Sequence, residues 1–182
     1  MRVITGSARG RRLITLDGND VRPTTDRVKE AMFSAIQFDI EGRRVLDLFA
    51  GSGHLGIEAL SRGAAQVIFT DSSQEAINVI KQNIDKCSFD SGAKVIKTDF
   101  AGYLSMTPDV FDIAFVDPPY GKGLLAKALE LLPRVMSEFG IIVCEHPVTE
   151  ELPAEIDGFI LHRTYKFGKI AFSVYRRKGD DA

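Results

Sequence analysis

A chain of 182 residues with 45% hydrophobic and 26% charged side chains has the length and composition of one globular domain, which excludes a disordered or fibrous protein. The formal net charge is only −2, and no apolar run approaches the roughly 18 residues that cross a bilayer. The first residues, MRVITGSARGRR, lack the apolar stretch of a secretory signal, so we expect a cytoplasmic protein. The two cysteines, Cys87 and Cys144, are too few for a structural zinc site and are expected to be free thiols.

The residues before Arg44 predict a short extension and one helix. The segments RVIT and RRLITL are interpreted as two short strands around a turn from Gly6 to Gly10. Apolar residues from Val28 to Ile36 recur at helical spacing, and the preceding Pro-Thr-Thr is typical of a helix start. We therefore predict a helix that runs through about Gln37 and packs across the sheet that follows.

From Arg44 onward, short apolar runs alternate with segments of helical periodicity. The runs expected to form strands are 44–49, 66–71, 94–99, 111–117 and 140–146. The connection after 94–99 is short and fits neither pattern clearly. Strands that are apolar along their length and separated by helices predict a parallel sheet covered on both faces. The fold class is therefore α/β, with a doubly wound, Rossmann-like sheet.

The C-terminal residues depart from that alternation. Segments 159–167 and 169–177 alternate apolar and polar residues on either side of Gly168, which is typical of an antiparallel hairpin. We expect the hairpin to complete one edge of the sheet. We predict a single domain over residues 1–182, with 1–22 as a basic extension and 23–182 as the core.

Both ends of the chain are basic, around an acidic middle. Residues 1–29 carry seven basic side chains against three acidic ones, and residues 162–178 carry six basic side chains and no acidic one. Because neutralised phosphates release counterions, basic ends favour a polyanionic partner. A solvated charged surface would give the same composition.

A glycine motif, GSGHLG from Gly51 to Gly56, joins the first predicted strand to a predicted helix. Glycines let the backbone of Ser52 and its neighbours approach a ligand, and a helix N-terminus offers free N–H groups to an anion. Asp71 ends the next strand, where a carboxylate can accept hydrogen bonds from ribose hydroxyls. Together these residues predict an adenosine-containing cofactor. A tight turn without a ligand, with Asp71 as a turn acid, is the structural alternative.

The residues around the loop favour S-adenosylmethionine. No Gly-Lys-Ser/Thr sequence closes the loop, which disfavours ATP held by a P-loop. Asp47 lies inside the first strand, where a nicotinamide-binding motif usually has an apolar residue and where a carboxylate suits an ammonium group. Asp99 and Phe100 follow the third strand, where they could accept from adenine N6 and pack on its face. Alternatively, Asp99 caps a helix.

Asp117-Pro118-Pro119-Tyr120 follows the fourth predicted strand, at the edge where open α/β sheets bind ligands. The prolines restrict the backbone, so the Asp117 side chain and the Pro118 carbonyl can be held as a pair of acceptors. Tyr120 offers a ring on which an extruded base can stack, a contact worth about 1–3 kcal/mol. Two acceptors beside a stacking ring suit an exocyclic amine, whose nitrogen they would aim at a methyl group. The structural alternative is a polar proline turn that caps a helix starting near Gly121.

VLDLFAGSG, Asp71, Asp99 and DPPY, in this order, resemble class I S-adenosylmethionine-dependent methyltransferases that act on amino nitrogens. More narrowly, MRVITGSARGRRL, VRPTTDRVKEAMF, LDLFAGSGHLGIEALSRGA, FVDPPYGKG and AFSVYRR resemble the RsmD family, over nearly the whole chain. The resemblance implies methylation of the N2 amine of one guanine in bacterial 16S ribosomal RNA, within an assembled or nearly assembled small subunit.

The resemblance also implies a seven-stranded sheet and an amine site from Asp117 to Tyr120. The implied cofactor residues are Asp47, Gly51, Gly53, Asp71 and Asp99, and the arginines that fit RNA phosphates are Arg9, Arg11, Arg12, Arg22 and Arg27. His54 stands where a small residue is usual, and Asp71 where a longer Glu is common, so both bear on cofactor affinity. His146 and His162 are expected to be structural or exposed.

We interpret the chain as an enzyme that transfers a methyl group by in-line displacement, with Asp117 or water taking the proton. The mechanism requires no metal ion, and nothing in the sequence demands a dimer, so we expect a monomer. One alternative is an N6-adenine methyltransferase acting on DNA or RNA, because the tetrapeptide recognises an amine and not a base. Others are a non-catalytic RNA-binding assembly factor and a nicotinamide oxidoreductase, the latter disfavoured by Asp47 and DPPY.

Overall fold

The computed structural model describes residues 1–16 and 26–179. Its helices are α1 (Asp26–Ala35), α2 (His54–Ser61), α3 (Gln74–Cys87), α4 (Phe100–Met106) and α5 (Leu124–Leu131). Its strands are β1 (Arg44–Asp47), β2 (Gln66–Asp71), β3 (Ala93–Lys97), β4 (Phe111–Val116), β5 (Met136–Pro147), β6 (Glu155–Ile156), β7 (Phe159–Phe167) and β8 (Ile170–Arg177). Arg22 and the predicted helix start at 23–25 lie outside the described residues.

The strands form one sheet in the order β3-β2-β1-β4-β5-β8-β7-β6. Strands β1 to β5 are mutually parallel, whereas β8, β7 and β6 are antiparallel additions at one edge. The predicted α/β class and the C-terminal hairpin are therefore confirmed. The described residues form eight strands instead of seven because β6, only two residues long, pairs with β7. A two-residue strand has no periodicity that a sequence can reveal.

Other boundaries also differ from the predictions. Helix α1 ends at Ala35 instead of Gln37, and β5 begins four residues early, at Met136. The ambiguous connection after β3 contains α4, which is too short for a clear periodic signal. The two N-terminal strands reduce to one antiparallel bridge between Arg2 and Arg12, because the N–H groups that would extend the ladder on either side, such as those of Ile4 and Ile14, bond side chains of the core.

Both faces of the sheet are covered, as continuous apolar strands require. On one face, Val45, Phe69 and Phe115 belong to a cluster that includes residues of α1, α2 and α3. On the other face, Leu46 and Val116 belong to a cluster with residues of α4 and α5. The carboxyl ends of β1, β2 and β4 are thereby held at one edge of the sheet.

The N-terminal extension is attached to the core through Glu58 of α2, whose side chain is fully buried. Its carboxylate accepts hydrogen bonds from the backbone N–H groups of Ile4 at 2.8 Å and Thr5 at 3.0 Å. It also pairs with Lys29 of α1 at 3.5 Å and with Arg62 at 2.8 Å. One buried carboxylate thus joins the extension, α1 and α2.

Asn83 of α3 fixes the end of the extension beside the glycine loop. Its Oδ1 accepts from the Ile14 N–H at 2.8 Å, and its Nδ2 donates at 2.9 Å to the carbonyls of Ile14 and Ser52. Because one buried amide joins both segments, Thr15 and Leu16 reach the cavity described below.

Over residues 1–16 and 26–179, none of the helices combines the length and apolar character needed to span a membrane.

Candidate active site

A cavity of about 620 Å³ opens at the carboxyl edge of the sheet, a volume in the usual range for small-molecule sites. Its wall combines the ends of β1, β2 and β4 with the extension. Among the lining residues are Asp47, Gly51, Ser52, Asp71, Asp99, Phe100, Asp117, Pro118 and Tyr120, all of them predicted from the sequence. The glycine loop and the DPPY segment therefore border the same space.

The glycine loop has the backbone that its sequence predicts. Gly51 and Gly53 have φ of 53° and 78°, in the left-handed region that glycine adopts readily. Gly53 caps α2 and is absent from the cavity wall, so its contribution is the shape of the turn. At Gly56, a Cβ atom would lie 2.2 Å from the Phe69 ring, which shows how closely α2 approaches β2.

Asp47 borders the cavity but is only 2% exposed. Its Oδ2 accepts a hydrogen bond from the Gly56 N–H at 2.9 Å. The pKa of Asp47 is raised to about 7, chiefly by burial and to a smaller extent by the negative charge of Asp71, and the Gly56 hydrogen bond opposes both effects. The carboxylate therefore titrates near neutral pH, in a position to respond to a cation in the cavity.

Asp71 binds the backbone of the glycine loop and that of the turn after β2. Its Oδ2 accepts from the Gly51 N–H and its Oδ1 from the Ser73 N–H, both at 2.9 Å. These contacts are those of a turn acid, one of the two interpretations of the sequence. The half-buried carboxylate also borders the cavity. Each of its oxygens keeps a lone pair that these backbone contacts do not use, so the side chain can still accept a hydrogen bond from a ligand.

Asp99 and Phe100 lie on the third strand's side of the cavity. Asp99 is the N-cap of α4, accepting from the N–H groups of Ala101 at 3.3 Å and Gly102 at 2.7 Å, so the capping interpretation is confirmed. The Phe100 ring packs against that of Phe49 at 4.9 Å between centroids, and both border the cavity. The pair gives this end an apolar surface beside a carboxylate.

The DPPY segment borders the cavity from β4. Asp117 follows the last residue of the strand, Pro118 is buried, and Tyr120 is half-buried. The Tyr120 hydroxyl donates to Glu145 Oε1 at 2.7 Å. A hydrogen bond to a carboxylate restrains the ring at the cavity wall.

Glu145 is a site residue that the sequence interpretation missed. It is 3% exposed and borders the cavity. Val116 of β4 pairs with Cys144 of β5, so the next residue on each side, Asp117 and Glu145, lie beside each other at the end of this pairing. The available signal was a charged residue closing an apolar strand at the ligand-binding edge. We interpreted 140–146 only as a strand.

Comparison with known proteins places the chain in a family. A family profile described as conserved hypothetical protein 95 matches residues 1–176. Ribosomal RNA small subunit methyltransferase D of Escherichia coli K12 is 34% identical over 180 residues, which cover 98% of this chain and 90% of the relative. YlbH of Bacillus subtilis is 39% identical over 184 residues, covering 98% of this chain and 100% of that protein. The chain belongs to the RsmD family.

A solved structure supports the same assignment. The Escherichia coli protein yhhF is 34% identical, superposes with a TM-score of 0.88 and covers 99% of both chains. The Rossmann-like fold of class I methyltransferases, which the RsmD resemblance implied, is therefore confirmed.

His54 of this RsmD-family chain borders the cavity. It is 8% exposed, and its Nε2 has no hydrogen-bond partner within the described parts of the chain. Burial lowers the pKa of His54 to about 3, helped by the positive charges of Lys29 and the N-terminal amino group, so the imidazole is neutral. An effect of His54 on cofactor affinity stays a prediction.

Five arginines of this RsmD-family chain were predicted to bind RNA, and the structure describes four of them. None of these four lines the cavity. Arg9, Arg11, Arg12 and Arg27 are exposed, and Arg22 belongs to the segment that is not described. Arg11 Nη1 donates at 2.7 Å to the Lys86 carbonyl near the end of α3, so part of its hydrogen-bonding capacity is used within the protein.

The remaining predictions concern side chains away from the cavity. His146 is buried with Nε2 2.9 Å from Ser173 Oγ, and His162 is exposed, as expected. Cys87 and Cys144 are buried free thiols. Over the described residues, no three His, Cys, Asp or Glu side chains form a group that could hold a metal ion.

Proposed function

We propose that this chain transfers a methyl group from S-adenosylmethionine to the N2 amine of a guanine in 16S ribosomal RNA. The proposed substrate is the assembled or nearly assembled small subunit. One observation carries the proposal: the glycine loop and the DPPY segment border one cavity, so a donor and an acceptor could meet there. The name of the Escherichia coli relative, ribosomal RNA small subunit methyltransferase D, supports the choice of RNA.

The residues of the cavity fit the cofactor. Asp47 would bind its ammonium group, the backbone of Gly51 and Ser52 its carboxylate, and Asp71 its ribose hydroxyls. Asp99 and Phe100 would hold the adenine, by its N6 amine and its face. When bound, the cofactor supplies a methyl group on a sulfonium, which is activated without a metal ion.

Asp117, Pro118 and Tyr120 would act on the base. The Asp117 carboxylate and the Pro118 carbonyl accept hydrogen bonds from the amine, which directs the nitrogen lone pair towards the methyl group. Tyr120 stacks on the base, and Glu145 keeps the Tyr120 ring in place. Asp117 or a water molecule takes the proton released from nitrogen. The enzyme would act as a monomer in the bacterial cytoplasm, where small subunits are assembled.

The decisive experiment uses small subunits from cells that lack this protein. Purified enzyme and radiolabelled S-adenosylmethionine should place label in 16S RNA, and nuclease digestion should release N2-methylguanosine. Release of N6-methyladenosine would instead support the adenine alternative. Absence of label, with retained binding to subunits, would support the non-catalytic assembly factor.

Cofactor affinity should depend on pH through Asp47. An ammonium group binds the ionised carboxylate, and with the pKa raised to about 7, the ionised fraction falls as the pH drops below 7. From pH 8 to pH 6 we expect about a tenfold loss of affinity, measured by calorimetric titration. Asp47→Asn should bind weakly and without this pH dependence, whereas Asp85→Asn, an exposed control, should retain it. Equal affinity of the wild type at both pH values would contradict the assignment.

Loss of Glu145 should impair the use of RNA but not of cofactor. Glu145→Ala removes the carboxylate that accepts from the Tyr120 hydroxyl, so we expect about a tenfold fall in kcat/KM for the small subunit with unchanged cofactor affinity. Glu145→Gln keeps an acceptor and should recover most of the activity. Glu138→Ala, an exposed position on the same strand, is the control. No rescue by glutamine, or an equal loss of cofactor affinity, would show that Glu145 serves only the fold.

A further inference from the structure

Strand pairing extends from the cavity to the outer strand β7. Glu145 pairs with Phe172 of β8, and Phe172 pairs with Tyr165 of β7. Residues paired directly across strands share a face, here the face covered by α1. Neighbouring strands lie about 4.8 Å apart, and Tyr165 is two strands away from Glu145, so the two residues are about 10 Å apart. Tyr165 therefore lies on the same face of the sheet as Glu145, which borders the cavity, with the buried Phe172 between them.

Two aromatic rings of β7 pack on the buried Phe172. Tyr165 stacks on it with centroids 4.6 Å apart, and Phe167 with centroids 6.0 Å apart. Tyr165 and Phe167 are half-buried, and their packing on Phe172 restrains the positions of both rings.

Each outer ring carries an exposed arginine. The Arg163 guanidinium lies 5.2 Å from the Tyr165 centroid, and that of Arg27 lies 5.9 Å from the Phe167 centroid. We name Arg27, Arg163, Tyr165 and Phe167 the arginine strip. Arg27 comes from the basic N-terminal residues and Arg163 from the basic C-terminal residues, so the two basic ends of the chain meet here.

The positive charge of the strip is not neutralised within residues 1–16 and 26–179. Arg2, Arg44, Arg62 and Arg176 each pair with a carboxylate, but neither strip arginine has one within 4.0 Å among those residues. The ring contacts hold both guanidiniums near fixed positions, which lowers the entropy cost of binding an anion. A guanidinium presents a planar fork of donors that matches a phosphate.

We propose that the arginine strip binds the RNA strand that flanks the target nucleotide, with Arg27 and Arg163 on phosphates. This inference rests on the proposed function, because it assumes that the base at Tyr120 belongs to an RNA. Proximity to the cavity and aromatic rings beneath the cations favour RNA over an acidic protein surface, since bases also stack on such groups.

The double variant Arg27→Gln/Arg163→Gln tests the strip. We expect KM for the small subunit to rise about tenfold or more, with kcat and cofactor affinity unchanged. The slope of log affinity against log salt concentration should fall by about two, because two phosphates would no longer be neutralised by the protein. Arg134→Gln, an exposed arginine that follows α5 on the other face of the sheet, is the matched control and should change neither quantity.

Arg163→Lys keeps the charge but loses the planar fork, so we expect a smaller rise in KM with the salt slope retained. If the double variant has the KM and the salt slope of Arg134→Gln, the proposal is overturned. Weaker subunit binding with an unchanged salt slope would also overturn it, because it indicates contact with ribosomal protein. Absence of methylation by the wild type would reject the proposed function instead, and the salt slope of binding would still test the strip.

Discussion

Asp117→Ala is expected to reduce methyl transfer to the small subunit by at least about a hundredfold while cofactor affinity changes little. The carboxylate is one of two acceptors proposed to orient the amine, and loss of one preorganised group from a reacting centre costs about that factor. Asp117 borders the cavity at the end of β4, beyond the glycine loop that would hold the donor. The measurement is single-turnover methylation together with calorimetric titration of the cofactor.

Asp117→Asn separates charge from geometry at the same position. Its amide oxygen still accepts a hydrogen bond from the amine, so this variant should retain more activity than Asp117→Ala. Asp85→Ala, an exposed acid on α3, should behave as the wild type. Near-normal turnover by Asp117→Ala would remove Asp117 from the mechanism, whereas parallel loss of cofactor binding would assign it to the donor side.

Glu58→Gln should lower the free energy of unfolding by about 3–5 kcal/mol. The substitution leaves the ammonium group of Lys29, which is fully buried, without its charged partner, and weakens the bonds to Ile4 and Thr5. Burial lowers the pKa of Lys29, and the negative charges of Glu58 and Asp26 oppose this effect, so its charged form is favoured by these carboxylates. Urea denaturation measures the effect, and Glu75→Gln on the exposed side of α3 is the control.

A second variant keeps this prediction testable if Glu58→Gln is too unstable to purify. In Lys29→Met/Glu58→Gln the buried ammonium group is removed together with its partner, so stability should recover. The recovery should be partial, because Arg62 also loses the carboxylate with which it pairs. The extension also borders the cavity through Thr15 and Leu16, so Glu58→Gln should weaken cofactor binding as well. A decrease below about 1 kcal/mol would mean that the extension is held mainly by other contacts.

Several features of this protein follow from local sequence alone. Apolar runs and helical periodicity located the five parallel strands, because strands that are covered on both faces, such as β1, β2 and β4, must be apolar along their length. The rule that parallel strands bind ligands at their carboxyl ends then grouped Asp47, Asp71 and Asp117 at one edge. Gly51 and Gly53 were recognisable because few other residues adopt a positive φ.

Contacts between distant segments could be decided only by tertiary structure. Glu145 meets Tyr120 because β5 pairs beside β4, and Arg27 meets Phe167 because α1 packs on the face of the sheet that carries Phe167. The attachment of the extension to Glu58 and Asn83 is equally invisible in the sequence, since polar side chains carry no signal of which backbone they bond. Periodicity reports only which face of an element is buried, whereas the partner of each face depends on how all the elements pack together.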